Sequence, residues 1–530
     1  MNTTNLRPDL AGHLIQRLQA FSEGFRHNLA ILGPPGSGKT FQLQQLLARQ
    51  PSGLMLVYCP LYRESCRGFL QRLLGAILQA GLPASSAGPL AQLLERADAE
   101  LPRTAAAVRA VDALIARRLH GEAFNRALDI IPILIEERRM PCVLILDEFL
   151  FLEELGLSHA FHELGKRVMT WPSTLFILTS SSVHRARTIL RERLQLLFGQ
   201  FEFLTLEALD AGTVTSWAQQ QLKGIRKAGS MNPFLVAWLG AYPWYLTVFL
   251  KRFKELAALR RSTEVSEPLF LQTAWDVLGS PEGTLHHWCV LRTEALARGR
   301  LGGRALEALL QMAQGARTMT EIGARIGRAE LSGALQLLVN EDLAQRNGMC
   351  WVIPDPVLRS WLPTILLAQR VETRLDPAIV RQRFEQHLRT LWSQWLQAHE
   401  LSLPEQVVSL FAKFGEETVM LDSKTGRLPK FETINAKPDG VGAYVVADGQ
   451  GKRWCASVFD GPVDENAISR FEAFCRQQTP KPSRKVVIST GAIEQNARLL
   501  AKTASMWVWQ AEDLHRLQEL YAAPREAAHA

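Results

Sequence analysis

The chain has 530 residues, of which 47% are hydrophobic and 21% are charged, and this length predicts three or four folded domains in sequence. No segment approaches the roughly 20 consecutive apolar residues of a membrane span, and the first residues lack the pattern of a secretory signal, so we expect a cytoplasmic protein. The seven cysteines are scattered without a CxxC pair, which argues against a disulfide framework or a zinc site, while the net charge of +8 is only a weak indication of an acidic partner.

The first predicted strand leads directly into a glycine-rich segment. Residues 28–32 form a short apolar run, GPPGSGKT follows, and FQLQQLLARQ has the pattern of a helix. This order of strand, loop and helix is the context in which G-x-x-x-x-G-K-[ST] binds phosphate, because the loop and the positive end of the helix direct N–H groups to one point. We expect Lys39 to reach the β- and γ-phosphates of ATP and Thr40 to bind Mg²⁺. The predicted nucleotide-binding residues of the loop are Gly33, Pro34, Pro35, Gly36, Ser37, Gly38, Lys39 and Thr40.

A second apolar run, in VLILDEF, ends in two acids. We expect Asp147 to hold the Mg²⁺ shell and Glu148 to orient and deprotonate the attacking water, since hydrolysis needs a base within reach of it. Further apolar runs at 54–59 and 175–178, with a helical stretch over 62–138, complete an alternation of strands and helices. This alternation predicts a mostly parallel sheet with helices on both faces.

The last of these strands ends in hydroxyl side chains, in LFILTSSSV. Thr179 or Ser180 is a candidate contact for the γ-phosphate, and a strand capped by turn-forming serines is an equally good interpretation. In the basic helix that follows, any arginine is a candidate for stabilising transition-state charge, although a solvated basic face accounts for most of them. These arginines are Arg185, Arg187, Arg191 and Arg193.

Beyond the predicted ATPase domain, residues 1–210, the pattern is helical over 211–300, which we interpret as a lid subdomain. Residues 301–365 contain three modest helices and then a hairpin signal, which is the layout of a winged helix-turn-helix. A helical linker is expected over 366–400, and mixed strands and helices predict a small α/β domain over 401–530.

The predicted winged helix-turn-helix has its hairpin signal at Asn347-Gly348. Arg325, Arg328 and Arg346 are candidates for contact with DNA phosphates. The third helix and its end also carry acids, so an internal or protein-binding role remains open. These acids are Glu330, Glu341 and Asp342.

The order of GPPGSGKT, ILDEF, ILTSSSV, LLFGQFEFLTLEAL, GAYPWYL and DPVLRSWL resembles the archaeal ATPase family within the STAND group of P-loop NTPases, relatives of the AAA+ class. The resemblance covers roughly residues 5–365. It implies ATP and Mg²⁺ as cofactors, and it implies that Pro243, after a short glycine turn, lies against the adenine. The overall fold class expected is α/β: a P-loop NTPase parallel sheet with a helical subdomain, a winged helix-turn-helix and a small C-terminal α/β domain.

The C-terminal domain resembles the restriction-endonuclease-like domain that follows many archaeal ATPases. KPDG matches its proline-aspartate element, which places Asp439 as a metal ligand. The next strand, RWCASVFDG, has Ser457 and Phe459 where an acid and a lysine belong, and Asp460 is a poor substitute. Without those groups metal-assisted phosphodiester cleavage has no physical basis, so we expect a degenerate nuclease fold.

These features predict an ATP-binding and ATP-hydrolysing molecular switch that acts on DNA through its winged helix and C-terminal domain. The alternative is a STAND-type signalling or scaffold ATPase that binds protein with the same parts. Self-assembly on ATP is expected only by analogy with the AAA+ class, and a membrane partner is not expected.

Overall fold

The structure is a computed structural model that describes residues 5–49, 51–83, 88–192, 201–226, 228–297, 299–324, 326–371, 376–421, 424–439 and 442–521. It divides into two compact units. The first takes its described residues from Met1–Lys223, Ala241–Thr247 and Asn340–Asp342, and the second takes the rest. Of the residues singled out above, Arg193, Arg325 and the side chain of Arg328 lie outside the described part. The domain boundaries proposed from the sequence stay predictions.

The first unit is built on a five-stranded sheet. Its strands are β1 (Asn28–Leu32), β2 (Met55–Pro60), β3 (Cys142–Asp147), β4 (Thr174–Ser180) and β5 (Phe201–Thr205). They lie in the order β2-β3-β4-β1-β5, and every neighbouring pair is parallel. The predicted parallel sheet is confirmed, with one strand, β5, that the sequence analysis did not identify.

Helices cover both faces of this sheet, because its strands are apolar on both sides. In β1, Leu29 and Ile31 face one hydrophobic cluster while Ala30 and Leu32 face another. The helices are α1 (Pro8–Ser22), α2 (Lys39–Arg49), α3 (Cys66–Gly81), α4 (Leu90–Glu100), α5 (Pro102–Ala116), α6 (His120–Arg138), α7 (Ala160–Thr170), α8 (Val183–Glu192) and α9 (Ala211–Gln221). The predicted helical stretch over 62–138 is thus four helices, α3 to α6, inserted between β2 and β3.

Strand order decides which loops meet. β4 lies between β1 and β3, and the carboxyl ends of parallel strands share one edge of the sheet. The glycine-rich loop after β1, the acids at the end of β3 and the hydroxyls at the end of β4 are therefore neighbours.

The second unit begins with helices. They are α10 (Ala228–Leu239), α11 (Pro243–Leu259, whose first residues belong to the first unit), α12 (Glu267–Ala274), α13 (Thr284–Ala297), α14 (Gly302–Ala313), α15 (Met319–Ile322), α16 (Arg328–Asn340), α17 (Pro356–Trp361), α18 (Leu367–Val371), α19 (Pro377–Glu400) and α20 (Leu403–Phe411). In the described part of the chain, no helix is long and apolar enough to cross a membrane. All seven cysteines are buried and form no disulfide.

Between α16 and α17 lies a short antiparallel hairpin of β6 (Gln345–Asn347) and β7 (Cys350–Val352). The pairing of Asn347 with Cys350 makes Gly348 and Met349 the loop residues, one position later than predicted from the Asn-Gly pair. Gly348 has a φ of +64°, which suits the first position of a tight hairpin loop and disfavours other residue types there. Three helices followed by a hairpin is the order expected of a winged helix-turn-helix.

The C-terminal part has its own five-stranded mixed sheet. Its strands are β10 (Thr433–Pro438), β11 (Ala443–Gly449), β12 (Lys452–Phe459), β13 (Arg484–Ser489) and β14 (Trp507–Gln510), in sequential order. A separate hairpin of β8 (Thr418–Leu421) and β9 (Lys424–Arg427) precedes it, and its helices are α21 (Glu465–Gln477), α22 (Gln495–Thr503) and α23 (Ala511–Leu520). The mixed α/β character predicted for this region is confirmed.

Candidate functional site

The loop after β1 has a backbone that only glycine supplies readily. Gly36 and Gly38 have φ values of +76° and +98°, and such turns bring successive N–H groups to one side, where they form an anion-binding concavity. A Cβ on Gly33 would lie 2.7 Å from the Cβ of Leu206, so this position also has no room for a side chain. The hydroxyl of Ser37 is buried without a hydrogen-bond partner.

Lys39 opens α2 and is turned back over the loop. Its side chain is only 4% exposed, and Nζ donates to the carbonyl oxygens of Gly33 (2.7 Å) and Pro34 (3.2 Å) and to Ser181 Oγ (2.9 Å). Burial lowers the pKa of Lys39, and the charges of Glu148 and Asp147 oppose that shift. The hydrogen bonds of Lys39 Nζ go to neutral oxygens, and the nearest carboxylate, Glu148, lies 3.8 Å away, so a phosphate anion would add a direct charge-assisted hydrogen bond.

Asp147 is buried, and its carboxylate accepts hydrogen bonds from hydroxyl groups on three elements. Its Oδ2 accepts from Thr40 Oγ1 and from the Tyr58 hydroxyl, each at 3.0 Å, and its Oδ1 accepts from Thr179 Oγ1. Thr179 is fully buried and its oxygen also accepts from the backbone N–H of Glu148 at 3.1 Å. The structure therefore places Thr179 beneath the two acids, as a support for both.

Glu148 has a left-handed backbone, with φ +59° and ψ +48°, a conformation that costs a non-glycine residue of order 1–3 kcal/mol. Its carboxylate accepts from Ser181 at both oxygens, from the backbone N–H at 2.8 Å and from the hydroxyl, and lies 3.8 Å from Lys39 Nζ. The Ser181 hydroxyl thus bridges the lysine and the carboxylate. Glu148 is about a quarter exposed and lies beside the phosphate loop, and its role as the base stays a prediction.

The GAYPWYL segment reaches the same loop. The N–H of Trp244 donates to Gly36 O at 3.4 Å, and a Cβ on Gly36 would lie 3.1 Å from the Cβ of Trp244. Pro243 is the first residue of α11, directly before Trp244. Within the first unit, the proline predicted to contact adenine is therefore adjacent to a tryptophan that covers the phosphate loop.

Alanine at Gly36 is expected to destabilise the chain by about 2 kcal/mol, because left-handed backbone strain adds to the close contact with Trp244, and to weaken nucleotide binding. Gly24→Ala is the matched control: Gly24 has φ +97° but nothing within 4 Å of an added Cβ, so it should cost about 1 kcal/mol from strain alone. Thermal denaturation and titration with a fluorescent ATP analogue measure both effects. Equal nucleotide affinity in the two variants would contradict this account of Gly36.

Two residues of the N-terminal segment form hydrogen bonds with the phosphate loop and with α2. Arg7 Nε donates to Ser37 O at 3.1 Å, and another of its N–H groups donates to Glu207 O. Asn5 exchanges hydrogen bonds with Gln42 of α2. The backbone of the phosphate loop is thus held by a side chain some 30 residues earlier in the sequence.

The arginines of α8 are engaged to different degrees. Arg185 forms an ion pair with Glu153, the exposed Arg187 donates to Thr205 Oγ1 at 2.7 Å, and Arg191 is exposed. At the start of α8, the N–H of His184 donates to Asp342 Oδ1 at 3.2 Å. None of the described arginines of α8 contacts Lys39 or Glu148, so an arginine acting on a nucleotide stays a prediction.

The residues present fit both ATP and Mg²⁺. The positive-φ glycines, the unpartnered hydroxyl of Ser37 and the ammonium of Lys39 belong to one loop and the start of α2, which are the groups that a polyphosphate requires. Thr40 and Asp147 offer the hard oxygen atoms that Mg²⁺ prefers. Elsewhere, among the residues that the structure describes, no group of three or more His, Cys, Asp or Glu side chains is placed to hold a metal ion.

The predicted DNA-contacting hairpin is engaged by protein. The N–H of Met349 donates to Thr418 O at 2.8 Å, the N–H of Met420 donates to Asn347 Oδ1 at 2.7 Å, and Cys350 is buried in the hydrophobic cluster of the C-terminal domain. The exposed Arg346 donates through Nε to Gly348 O at 2.8 Å. The tip of the hairpin therefore contacts β8, while Met349 is 59% exposed.

The predicted nuclease residues lie at one end of the C-terminal sheet, where the register places Pro438 beside Ala443 and Ala443 beside Val458. Asp439 follows β10, and its N–H donates to Gly442 O at 2.9 Å. Ser457 is fully buried on β12, with a hydroxyl that has no hydrogen-bond partner, and Asp460 accepts from Thr490 Oγ1 at 2.9 Å.

Comparison with known proteins agrees with the fold of the first unit. Residues 26–191 match the family model described as an AAA domain, which agrees with the P-loop NTPase fold of the parallel sheet. No curated protein sequence matches the chain.

Three solved structures illustrate the likeness. The Walker-type ATPase PABY2304 of Pyrococcus abyssi is 16% identical, with 67% of this chain and 95% of that chain covered and a TM-score of 0.46. The ORC2 protein of Aeropyrum pernix in its ADPNP-ADP complexes is 14% identical, with 73% of this chain and 95% of that chain covered and a TM-score of 0.43. The RuvB Holliday junction branch migration motor of Thermotoga maritima is 12% identical, with 70% of this chain and 96% of that chain covered and a TM-score of 0.33. At these identities and TM-scores the likenesses carry no functional argument.

Two residues of this site were missed by sequence reasoning. Ser181 was one of three successive serines, and nothing in their pattern distinguishes the one that contacts Glu148. Tyr58 lies two residues before the end of β2. Its closeness to Asp147 follows from the strand register, which pairs Pro60 with Asp147 and which no pattern in the sequence shows.

Proposed function

We propose that the chain is a cytoplasmic ATP-driven molecular switch that binds and hydrolyses ATP at the P-loop site and acts on DNA. The observation that carries the ATPase proposal is the contact of the Ser181 hydroxyl with both Lys39 and Glu148. That contact joins the phosphate-binding cation to the candidate base, so both respond to what occupies the γ-phosphate position.

The roles of the residues follow from their positions. The loop and Lys39 hold the phosphates, while Thr40 and Asp147 hold Mg²⁺, which neutralises charge on the phosphate oxygens when bound. Glu148 orients the attacking water and accepts its proton, as a carboxylate does within hydrogen-bonding reach. Pro243 borders the adenine. For such a chain to act as a switch, ATP must bind two of its arrangements with different affinity.

The proposal that DNA is the partner is supported by the order of α14, α15, α16 and the β6-β7 hairpin, and by the net charge of +8. The candidate contacts with DNA phosphates are Arg325, Arg328 and the exposed Arg346. Phosphate contacts by these arginines would make binding depend on salt, because they release condensed counterions.

ATP turnover by the purified chain, with and without double-stranded or single-stranded DNA, tests this proposal. We expect DNA to stimulate turnover several-fold in low salt and the stimulation to disappear between about 50 and 200 mM salt. Glu148→Gln sets the background for contaminating ATPases. Turnover that is indifferent to DNA at every salt concentration would remove DNA from the proposal and leave the ATPase in place.

The second candidate is a STAND-type signalling or scaffold ATPase that binds protein. The hairpin tip favours it, because Met349 and Asn347 are already engaged by a protein strand. ATP-dependent self-assembly, measured by light scattering in the absence of DNA, would support this candidate.

We further propose that the C-terminal domain is a degenerate nuclease fold kept for binding or assembly. With Ser457 and Phe459 where an acid and a lysine belong, Asp439 gives Mg²⁺ too few ligands for phosphodiester cleavage. Incubation of supercoiled DNA with the chain, Mg²⁺ and ATP should leave it uncut. Cleavage that Asp439→Ala abolishes would overturn this proposal.

A further inference from the structure

Tyr58 lies on the edge strand β2, on the face of the sheet that α2 covers. In β2 every second residue is fully buried and the others are partly buried. The ring of Tyr58 packs against the hydrophobic cluster that contains Leu43 and Leu46 of α2 and Ile145 of β3. This packing holds the ring in place and directs its hydroxyl to the carboxyl end of the sheet, where Asp147 lies.

The phenol meets Asp147 at the oxygen that Thr40 also contacts. Tyr58 OH donates to Oδ2 at 3.0 Å, the same distance as Thr40 Oγ1. Thr179, on the other side, donates to Oδ1.

The three donors to Asp147 do not share one task. Thr40 is the expected Mg²⁺ ligand, and Thr179 is fully buried beneath the strand ends. Of the three donors, only Tyr58 comes from β2. This strand contributes neither to the phosphate loop nor to the ends of β3 and β4, which carry the acids and the hydroxyls. Outer partners of metal-binding carboxylates orient the ligand oxygen, and losing one weakens metal affinity.

We propose that Tyr58 is a positioning residue for Mg²⁺ at the nucleotide site, acting by holding Asp147 Oδ2 in the orientation that the metal requires. This inference rests on the proposed ATPase function. It predicts a defect specific to Mg²⁺ and not to the nucleotide.

Tyr58→Phe removes the hydroxyl and keeps the ring. A fluorescent ATP analogue is titrated into the full chain in EDTA and, separately, at increasing MgCl₂ with the analogue fixed. The Mg²⁺ concentration that gives half of the metal-dependent binding should rise about 10-fold, while affinity in EDTA and the melting temperature without nucleotide should match the wild-type protein. Tyr62→Phe is the control, since Tyr62 is 54% exposed on the segment after β2 with its ring against Arg72, and it should leave the Mg²⁺ dependence unchanged.

The possible outcomes distinguish a failure of the role proposed for Tyr58 from a failure of the proposed ATPase function. Equal Mg²⁺ dependence in Tyr58→Phe and wild type overturns the role of Tyr58 and leaves nucleotide binding intact. Affinity that falls alike with and without Mg²⁺, or a lowered melting temperature, overturns it too, because a loss of packing explains those results. A wild-type chain that binds no nucleotide under either condition refutes the proposed function and this inference with it.

Discussion

Replacing Glu148 with glutamine should lower ATP turnover about 100- to 10,000-fold, which is the contribution of a positioned general base, while leaving ATP bound. Glutamine has the size of glutamate, so the left-handed turn at this position and the contact with Ser181 can persist. It cannot accept a proton from water. Phosphate release at saturating ATP measures the first effect, and titration with a fluorescent ATP analogue measures the second.

Glu154→Gln is the matched control for this substitution. A short 3-10 helix, Phe149–Glu153, follows Glu148, and Glu154 comes directly after it. Glu154 forms an ion pair with Arg63 at 3.3 Å. Glu154→Gln neutralises one carboxylate a few residues from Glu148 without touching the site. ATP turnover should therefore stay within about twofold of the wild-type rate, as for most surface substitutions. If Glu148→Gln turns over ATP at the wild-type rate, another group is the base. If it fails to bind ATP, the role of Glu148 is structural.

The parallel sheet could be predicted from the sequence because each of its central strands contains a run of four or more apolar residues. β1, β3 and β4 are buried at every position, and runs of this kind between helices indicate a sheet covered on both faces. β5 has the opposite character. It is an edge strand whose Glu202 pairs with Arg17 and His13 of α1, so its alternating pattern resembles a loop or a surface strand until its neighbour is known.

The phosphate loop and the two acids were recognisable because their chemistry requires a fixed local spacing. Contacts between distant segments were not. Which of three serines contacts Glu148 depends on the backbone path where β4 ends: Ser180 accepts from Ser182 N–H at 3.1 Å within its own turn, and only Ser181 is left facing the acid. The close approach of Trp244 to Gly36 likewise joins segments some 200 residues apart, and no spacing rule reports it.

The hairpin shows a third reason why the sequence did not predict every structural detail. Asn-Gly is a strong signal for a turn, and a hairpin is present, but its register places the loop one residue later. A Cβ on Gly348 would lie 2.4 Å from Thr418 O, so contact with β8 also requires glycine at this position. Tertiary contact and turn geometry therefore select the same residue, and sequence alone cannot separate them.

Ser181→Ala should slow ATP turnover about 10- to 100-fold, the value of a hydrogen bond to a charged group. The substitution removes the hydroxyl that accepts from Lys39 Nζ and donates to Glu148 Oε1. Glu148 keeps the Ser181 N–H at 2.8 Å, so its backbone and rotamer should survive. Lys39 keeps its two carbonyl acceptors, and ATP affinity should change only a few-fold. Single-turnover measurements of phosphate release separate the chemical step from binding.

Ser180→Ala tests which hydroxyl matters, since the sequence pattern pointed to Thr179 or Ser180. The Ser180 hydroxyl bonds only within its own turn, with Ser182, so its loss should leave turnover within about threefold, the value of a neutral hydrogen bond at the low end. A Ser180 variant slower than the Ser181 variant would reverse the assignment. Combining Ser181→Ala with Glu148→Gln gives the decisive comparison. If the hydroxyl acts through the Glu148 carboxylate, the double variant should be scarcely slower than Glu148→Gln alone, because residues that act as a unit are not additive.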